Sequence, residues 1–182
     1  MSDIKINLDN IWPQERDYIS SPERLKYLRR VIKPKDNDCV FCTAQKNGPS
    51  LDSLVVYKNN SAMLVLNKYP YNSGHVLVIP QKHIGDITEL SDDEFIDLNE
   101  LLRESVKAAK KIYKCEGLNI GMNHGKVAGA GIPNHLHWHI IPRWSGDTNF
   151  FPLIAETKLI PEDLGQTYAG YKKYFDEQLR RP

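Results

Sequence analysis

Three of the chain's six histidines fall at positions 135, 137 and 139, alternating with Leu136 and Trp138. Successive side chains of an extended strand point to opposite faces, so this spacing predicts a strand presenting His135, His137 and His139 in one row, about 6.6 Å apart. Leu136, Trp138 and Ile140 then face a core that holds the row rigid. Such a row has three readings. Imidazoles can grip a metal ion from a strand. One of them can attack phosphorus and form a phosphohistidine-type intermediate that a second molecule resolves. The third reading is a set of unrelated histidines on a half-buried sheet, which strict alternation argues against because three desolvated imidazoles need partners.

Two further clusters carry chemistry. Cys39-Val40-Phe41-Cys42 holds two of the three cysteines, and in a chain without an export signal this spacing reads as a metal clip or redox pair rather than a structural disulfide. Cys115 reads as a packing residue. Gly125-Lys126-Val127-Ala128-Gly129-Ala130-Gly131 precedes the histidine run, and a glycine-rich loop lets backbone amides approach an anion. Its place brings candidate phosphate-binding amides to a candidate nucleophile.

The elements that must position these groups follow from pattern. Residues 54–57 and 62–66 read as a hairpin turning at 58–61, and 75–80 as a third strand stopped by Pro80. Ser91-Asp92-Asp93-Glu94 is a capping box, and Phe95, Leu98, Leu102, Val106, Ala109 and Ile112 follow at helical spacing. The helix is expected to end near Lys114, with Gly117 supplying a left-handed cap. A strand over 118–123 and the glycine loop lead into the histidine strand. Residues 162–179 read as a terminal helix with Leu164, Tyr168, Tyr171, Tyr174 and Phe175 on its apolar side. Residues 1–37 read as an arm docking through Trp12 and Tyr18, with a short helix from 21 or 22 to about 31. Strands, one long helix and more strands predict an α+β fold, mainly antiparallel, rather than a doubly wound sheet.

At 182 residues the chain suits one core domain. The boundaries expected are an arm over 1–37, a domain over 38–160 and a helical tail over 161–182. Lys+Arg of 24 against Asp+Glu of 23 gives a net charge of +1, which argues against bulk binding of nucleic acid or anionic membrane. The first residues lack the apolar core of a signal peptide and no apolar run approaches a membrane span, so a cytoplasmic protein is expected.

The run His135-Leu136-His137-Trp138-His139-Ile140-Ile141 resembles the signature of the histidine triad (HIT) family, in which three histidines alternate with apolar residues. The resemblance extends to Asn67-Lys68-Tyr69-Pro70, to the run from Gly74 to His83, and to Ile11-Trp12 with Tyr18-Ile19. It implies a HIT-like fold with one long helix and a C-terminal helix. It also implies that His137 is the nucleophile toward the α-phosphorus of a nucleotide and that His139 contacts the phosphate near the scissile bridge. Asn67 would bind ribose, Asn123 with Gly129 and Gly131 the polyphosphate, and Leu66 would wall the base pocket. Relatives with a Cys-x-x-Cys before the first strand, the galactose-phosphate uridylyltransferases among them, imply a structural zinc held by Cys39, Cys42, His83 and His135. His75 is a candidate for orienting the triad, and His124 is expected to face solvent.

The loop before the triad has Gly131-Ile132-Pro133-Asn134 where hydrolytic members place Gln, Ser or Thr. That departure, with Gly129-Ala130-Gly131 and the run from Pro142 to Asn149, resembles bacterial diadenosine tetraphosphate phosphorylases. The implied function is a homodimeric nucleotidyl transferase cleaving diadenosine polyphosphate with inorganic phosphate to ADP plus ATP. The alternatives are a hydrolase, a zinc-stabilised nucleotide-binding module and a metalloenzyme using all three histidines on an open zinc.

Overall fold

Short runs of Val, Leu and Ile, each ended by a turn former, build the sheet. The computed structural model describes residues 39–147 and 162–179. The expected N-terminal arm, with Trp12, Tyr18 and its short helix, lies outside them. Five strands, β1 (Val55–Lys58), β2 (Ala62–Leu66), β3 (Val76–Pro80), β4 (Gly117–Gly121) and β5 (Trp138–Arg143), form one sheet in the order β1-β2-β3-β5-β4. Every neighbouring pair is antiparallel. Since β3 and β4 both run against β5, they are parallel to each other with β5 between them. At the β1–β2 turn the Asn59 side-chain oxygen accepts from the Ser61 and Ala62 amides, the local bond that suits asparagine to turns.

β2 and β3 are buried on both faces, and their alternation sorts two apolar layers. Ala62, Leu64 and Leu66 join Val76, Val78 and Ile140 against the helices α2 (Asp92–Tyr113) and α3 (Leu164–Leu179). Met63, Val65, Leu77 and Ile79 form the opposite layer with Phe41 of α1 (Val40–Asn47). The sequence pattern does not predict α1, whose N-cap is Cys39.

The capping box forms as expected: Ser91 Oγ accepts from the Glu94 amide and Glu94 Oε2 from the Ser91 amide. Two details of α2 differ from expectation. Its left-handed terminal residue is Lys114 (φ 49°), because Gly117 is already laddered to Arg143 as the first residue of β4. Its buried stripe runs through Leu98, Leu101, Ser105, Ala108 and Ala109, leaving Phe95 exposed. The expected C-terminal tail is a wall of the core: Tyr171, Tyr174 and Phe175 are buried, and Phe175 stacks on Tyr57 at 4.7 Å.

The histidine run is not a single strand. β5 pairs with β3 only through Val76, Leu77 and Val78, and His135, Leu136 and His137 precede it. The β3–β5 ladder stops at the Val78–Trp138 pair; continued, it would set Leu136 opposite Pro80, which has no amide hydrogen to offer. The Leu136 amide instead reaches the Ile84 carbonyl at 2.8 Å.

Candidate functional site

The triad lies on the sheet face that carries Phe41, opposite α2 and α3. The His137 ring is 6% exposed, 5.4 Å from the Phe41 ring and 5.2 Å from that of His139. Its Nδ1–H donates to the His135 carbonyl at 2.8 Å, which assigns the remaining lone pair to Nε2. Burial pulls the His137 pKa below the ordinary histidine value, with the backbone bond opposing, so the ring is held neutral. A neutral imidazole with a fixed orientation and a bare Nε2 is a nucleophile.

His139 is held by a histidine outside the triad. His75 is 1% exposed, and its Nδ1 accepts from the Tyr71 amide at 3.0 Å. Its proton is therefore on Nε2, which lies 2.9 Å from His139 Nδ1 and donates to it. His139 in turn carries its own proton on Nε2. Burial, reinforced by the neighbouring His139, lowers the His75 pKa to about 3, so the relay persists at neutral pH. The Tyr71 ring lies nearly parallel to His139, 5.9 Å away.

His135 leaves this row. Its Nε2–H donates to the Pro80 carbonyl at 2.9 Å, turning Nδ1 toward the cysteines. His135 Nδ1 is 3.3 Å from Cys39 Sγ and 3.7 Å from Cys42 Sγ, and Cys42 Sγ is 3.2 Å from His83 Nδ1. All four donor atoms lie within 4.8 Å of one another. Donors bound tetrahedrally at about 2.1–2.3 Å sit roughly 3.5–3.8 Å apart, so this set could hold a metal ion with every position filled by protein. The carbonyl bond on Nε2 is the outer contact that fixes a ligating histidine's tautomer. Both cysteines come from the start of α1, His83 from the segment after β3, and His135 from the segment before β5.

Of the other expected residues, Asn67 stands beside the relay, its oxygen accepting from the Tyr69 amide and its nitrogen 3.3 Å from His75 Nε2. Asn123 donates to the Gly129 carbonyl and so braces the glycine loop, in which Gly125 (φ 83°) and Gly129 (φ 93°) take the left-handed backbone. Gly131 is exposed in the same loop. Leu66 is not brought to the triad. It is 1% exposed in the α2 layer, because β2 alternation sends Val65 to the histidine face and Leu66 away from it. His124 is exposed, yet it also accepts from the Ile87 amide and lies 3.5 Å from Asp86. Two contributors carried no motif. Phe41 packs on both His135 and His137. Gly85 lets two loops touch, since a Cβ there would meet the Pro133 carbonyl at 2.7 Å.

The HIT domain family model matches residues 49–146, just over half of the 182-residue chain. The chain belongs to the histidine triad family. An AP-4-A phosphorylase of Mycobacterium tuberculosis is 34% identical over 152 residues, covering 81% of this chain and 78% of that protein. A bis(5'-nucleosyl)-tetraphosphatase [asymmetrical] of Schizosaccharomyces pombe is 36% identical over 128 residues, covering 69% of this chain and 70% of its own. Among solved structures, a zinc-bound histidine triad protein of Mycobacterium smegmatis superposes with a TM-score of 0.62 at 25% identity, over 78% of this chain and 95% of that one. The five-stranded antiparallel sheet with its helices is thus the family's α+β fold. Among the described residues, no helix is long and apolar enough to cross a membrane.

Proposed function

We propose that this histidine triad protein is a nucleotidyl transferase that cleaves diadenosine polyphosphates by phosphorolysis. His137 Nε2 attacks the α-phosphorus, the bond to the bridging oxygen breaks, and with diadenosine tetraphosphate ATP departs. Inorganic phosphate then attacks the adenylylated His137, giving ADP and restoring the free imidazole. The observation that carries this reading is the 2.8 Å bond from His137 Nδ1–H to the His135 carbonyl, which leaves Nε2 as the attacking atom. His139 would present its Nε2–H to the bridging oxygen and so favour its departure. Asn67 would bind ribose, and Asn123, Gly129 and Gly131 the polyphosphate edge.

The metal implied is zinc, on Cys39, Cys42, His83 and His135. When bound it would tie α1 to the segment before β5 and take no part in the bond changes, since no ligand position is open. The 38–160 segment would be the catalytic domain. The active form would be a homodimer, to which the edge strand β4, with Ile120 48% exposed, offers a surface.

The absence of Gln, Ser or Thr in Gly131-Ile132-Pro133-Asn134 favours phosphate over water as second nucleophile. The fission-yeast relative's name favours the second reading, hydrolysis. Incubation with diadenosine tetraphosphate, with and without phosphate, separates them: phosphate-dependent ADP plus ATP is expected, and phosphate-indifferent AMP plus ATP would establish the hydrolase. His137→Asn should lower turnover by about 10³-fold or more, a barrier increase of roughly 4 kcal/mol, while equilibrium dialysis still shows nucleotide binding. A near-normal rate in that variant would overturn catalysis through His137, whereas negligible turnover of every dinucleotide by the parent protein would leave a nucleotide-binding module.

A further inference from the structure

The helix α3 lies beyond the residues matched to the HIT domain and holds no histidine, yet a buried polar group on it reaches the turn that carries His75. We propose that Tyr171 is a positioning residue for His139, acting through the turn 71–75 and His75, so that α3 belongs to the catalytic apparatus. This rests on the reading that His139 addresses the phosphate.

Tyr171 is fully buried, and its hydroxyl donates to the Gly74 carbonyl at 3.0 Å. Gly74 has a φ of 74°, and a Cβ on it would stand 2.5 Å from the Tyr113 ring, so the turn passes tightly over α2 as well. The His75 amide closes the turn onto the Asn72 carbonyl. The Tyr71 amide then grips His75 Nδ1 at 3.0 Å, and His75 Nε2–H meets His139 Nδ1 at 2.9 Å. Asn72 ties the far side of the turn to the Pro142 carbonyl at 2.8 Å, at the end of the strand that bears His139.

The two hydrogen bonds at His75 set one another. If the turn shifts, the Tyr71 bond lengthens and His75 is free to move its proton to Nδ1. His75 Nε2 would then face His139 as an acceptor, and His139 would place its proton on Nδ1 rather than toward the substrate. Misplacement by about 1 Å is enough to cost a large factor in rate. Tyr174 supplies a comparison on the same helix: its hydroxyl bonds Glu104 at 2.7 Å and makes no contact with the turn in that bond.

The test uses the full chain, with imidazole ¹⁵N spectra recorded without substrate and kinetics on diadenosine tetraphosphate plus phosphate. Tyr171→Phe keeps the ring and removes the donor. It should move the His75 and His139 nitrogen signals toward a mixture of tautomers and lower kcat by about ten-fold with KM within about two-fold. Tyr174→Phe should leave those signals and kcat as in the parent protein. In a His75→Asn background, Tyr171→Phe should lower kcat no further, since both changes break one path. Should Tyr171→Phe not fold, Gly170→Ala gives the same reading. A Cβ there would meet Ile112 Cγ2 at 3.2 Å, a contact that moves α3 against α2 by a few tenths of an ångström, while alanine favours helix. Unchanged histidine signals in Tyr171→Phe, equal losses of kcat in both tyrosine variants, or additivity with His75→Asn would overturn the proposal. If the parent protein turns over no dinucleotide, the functional reading fails, and the nitrogen spectra still decide whether Tyr171 sets the tautomers.

Discussion

With Nδ1–H held by a backbone oxygen and the Phe41 ring packed 5.4 Å away, His137 keeps Nε2 as its bare nitrogen, the atom that would attack in the proposed reaction. His139 has its tautomer chosen by another side chain, His75, and that arrangement has a thermodynamic signature. The folded-state pKa of His75, about 3, lies below the unfolded value near 6.5, so the unfolded chain takes up a proton on acidification that the folded chain refuses. Stability from this group is complete above about pH 6.5 and falls as pH drops toward 3, by about 1.4 kcal/mol per pH unit for one proton. His75→Asn should therefore shrink the difference in urea-unfolding free energy between pH 7 and pH 5 by about 2 kcal/mol. An unaltered difference would mean that His75 is protonated in the folded protein, contrary to its role as acceptor from Tyr71. The groups facing His75 are Tyr71, Asn67 and His139. A His139→Asn control separates the share of the neighbouring imidazole.

Between residues and the whole molecule stand the short connections, which do more positioning than the strands. The turn 71–75 is held from α3 by Tyr171 and from the end of β5 by the Asn72 contact with Pro142. Gly74 is the residue that lets it pass, because its backbone is left-handed and its α-carbon faces an aromatic ring with no room for a methyl group. Gly74→Ala should destabilise the fold by about 2–4 kcal/mol, combining backbone strain with displacement of Tyr113. A melting temperature within a degree of the parent protein would show that the turn relaxes without strain. The segment before β5 is a similar connection. Its Leu136 amide is taken by Ile84, and Gly85 allows the close approach to Pro133, so the loop carrying His83 packs directly on the segment carrying His135.

For the molecule as a whole, the four side chains that could hold a metal ion join parts of the chain that the sheet ladder does not. Cys39 and Cys42 at the start of α1, His83 after β3 and His135 before β5 converge on one point, and the His135 carbonyl from that point fixes the His137 ring. Cys39→Ser should therefore lose the bound metal by elemental analysis, and hydrogen exchange at Leu136 and His137 should rise by about ten-fold or more while the α2 core stays protected. Retention of metal in that variant would instead favour a site built on the three histidines. The helical faces of α2 and α3 cover the side of the sheet away from this point. Their packing supports the sheet, and from that side the Tyr171 hydroxyl reaches the turn before His75.

Much of this was legible in the residues themselves because their physics is local. The Cys39–Cys42 spacing, the capping box at Ser91 and the strand runs around 55, 62 and 76 each depend on neighbours a few positions away, and each appears in the fold; the alternation at 135–139 is a strand only from Trp138 onward. Tertiary contacts decided the rest. Pro80 lacks a ladder donor, so the histidine strand begins only at Trp138, and strand alternation places Leu66 behind the sheet. His75 becomes the partner of His139 only because β3 and β5 lie side by side, and Tyr171 reaches Gly74 only because α3 folds back across α2. Those pairings join residues far apart in sequence, and no periodicity in the chain encodes which distant carbonyl or imidazole a buried side chain will meet.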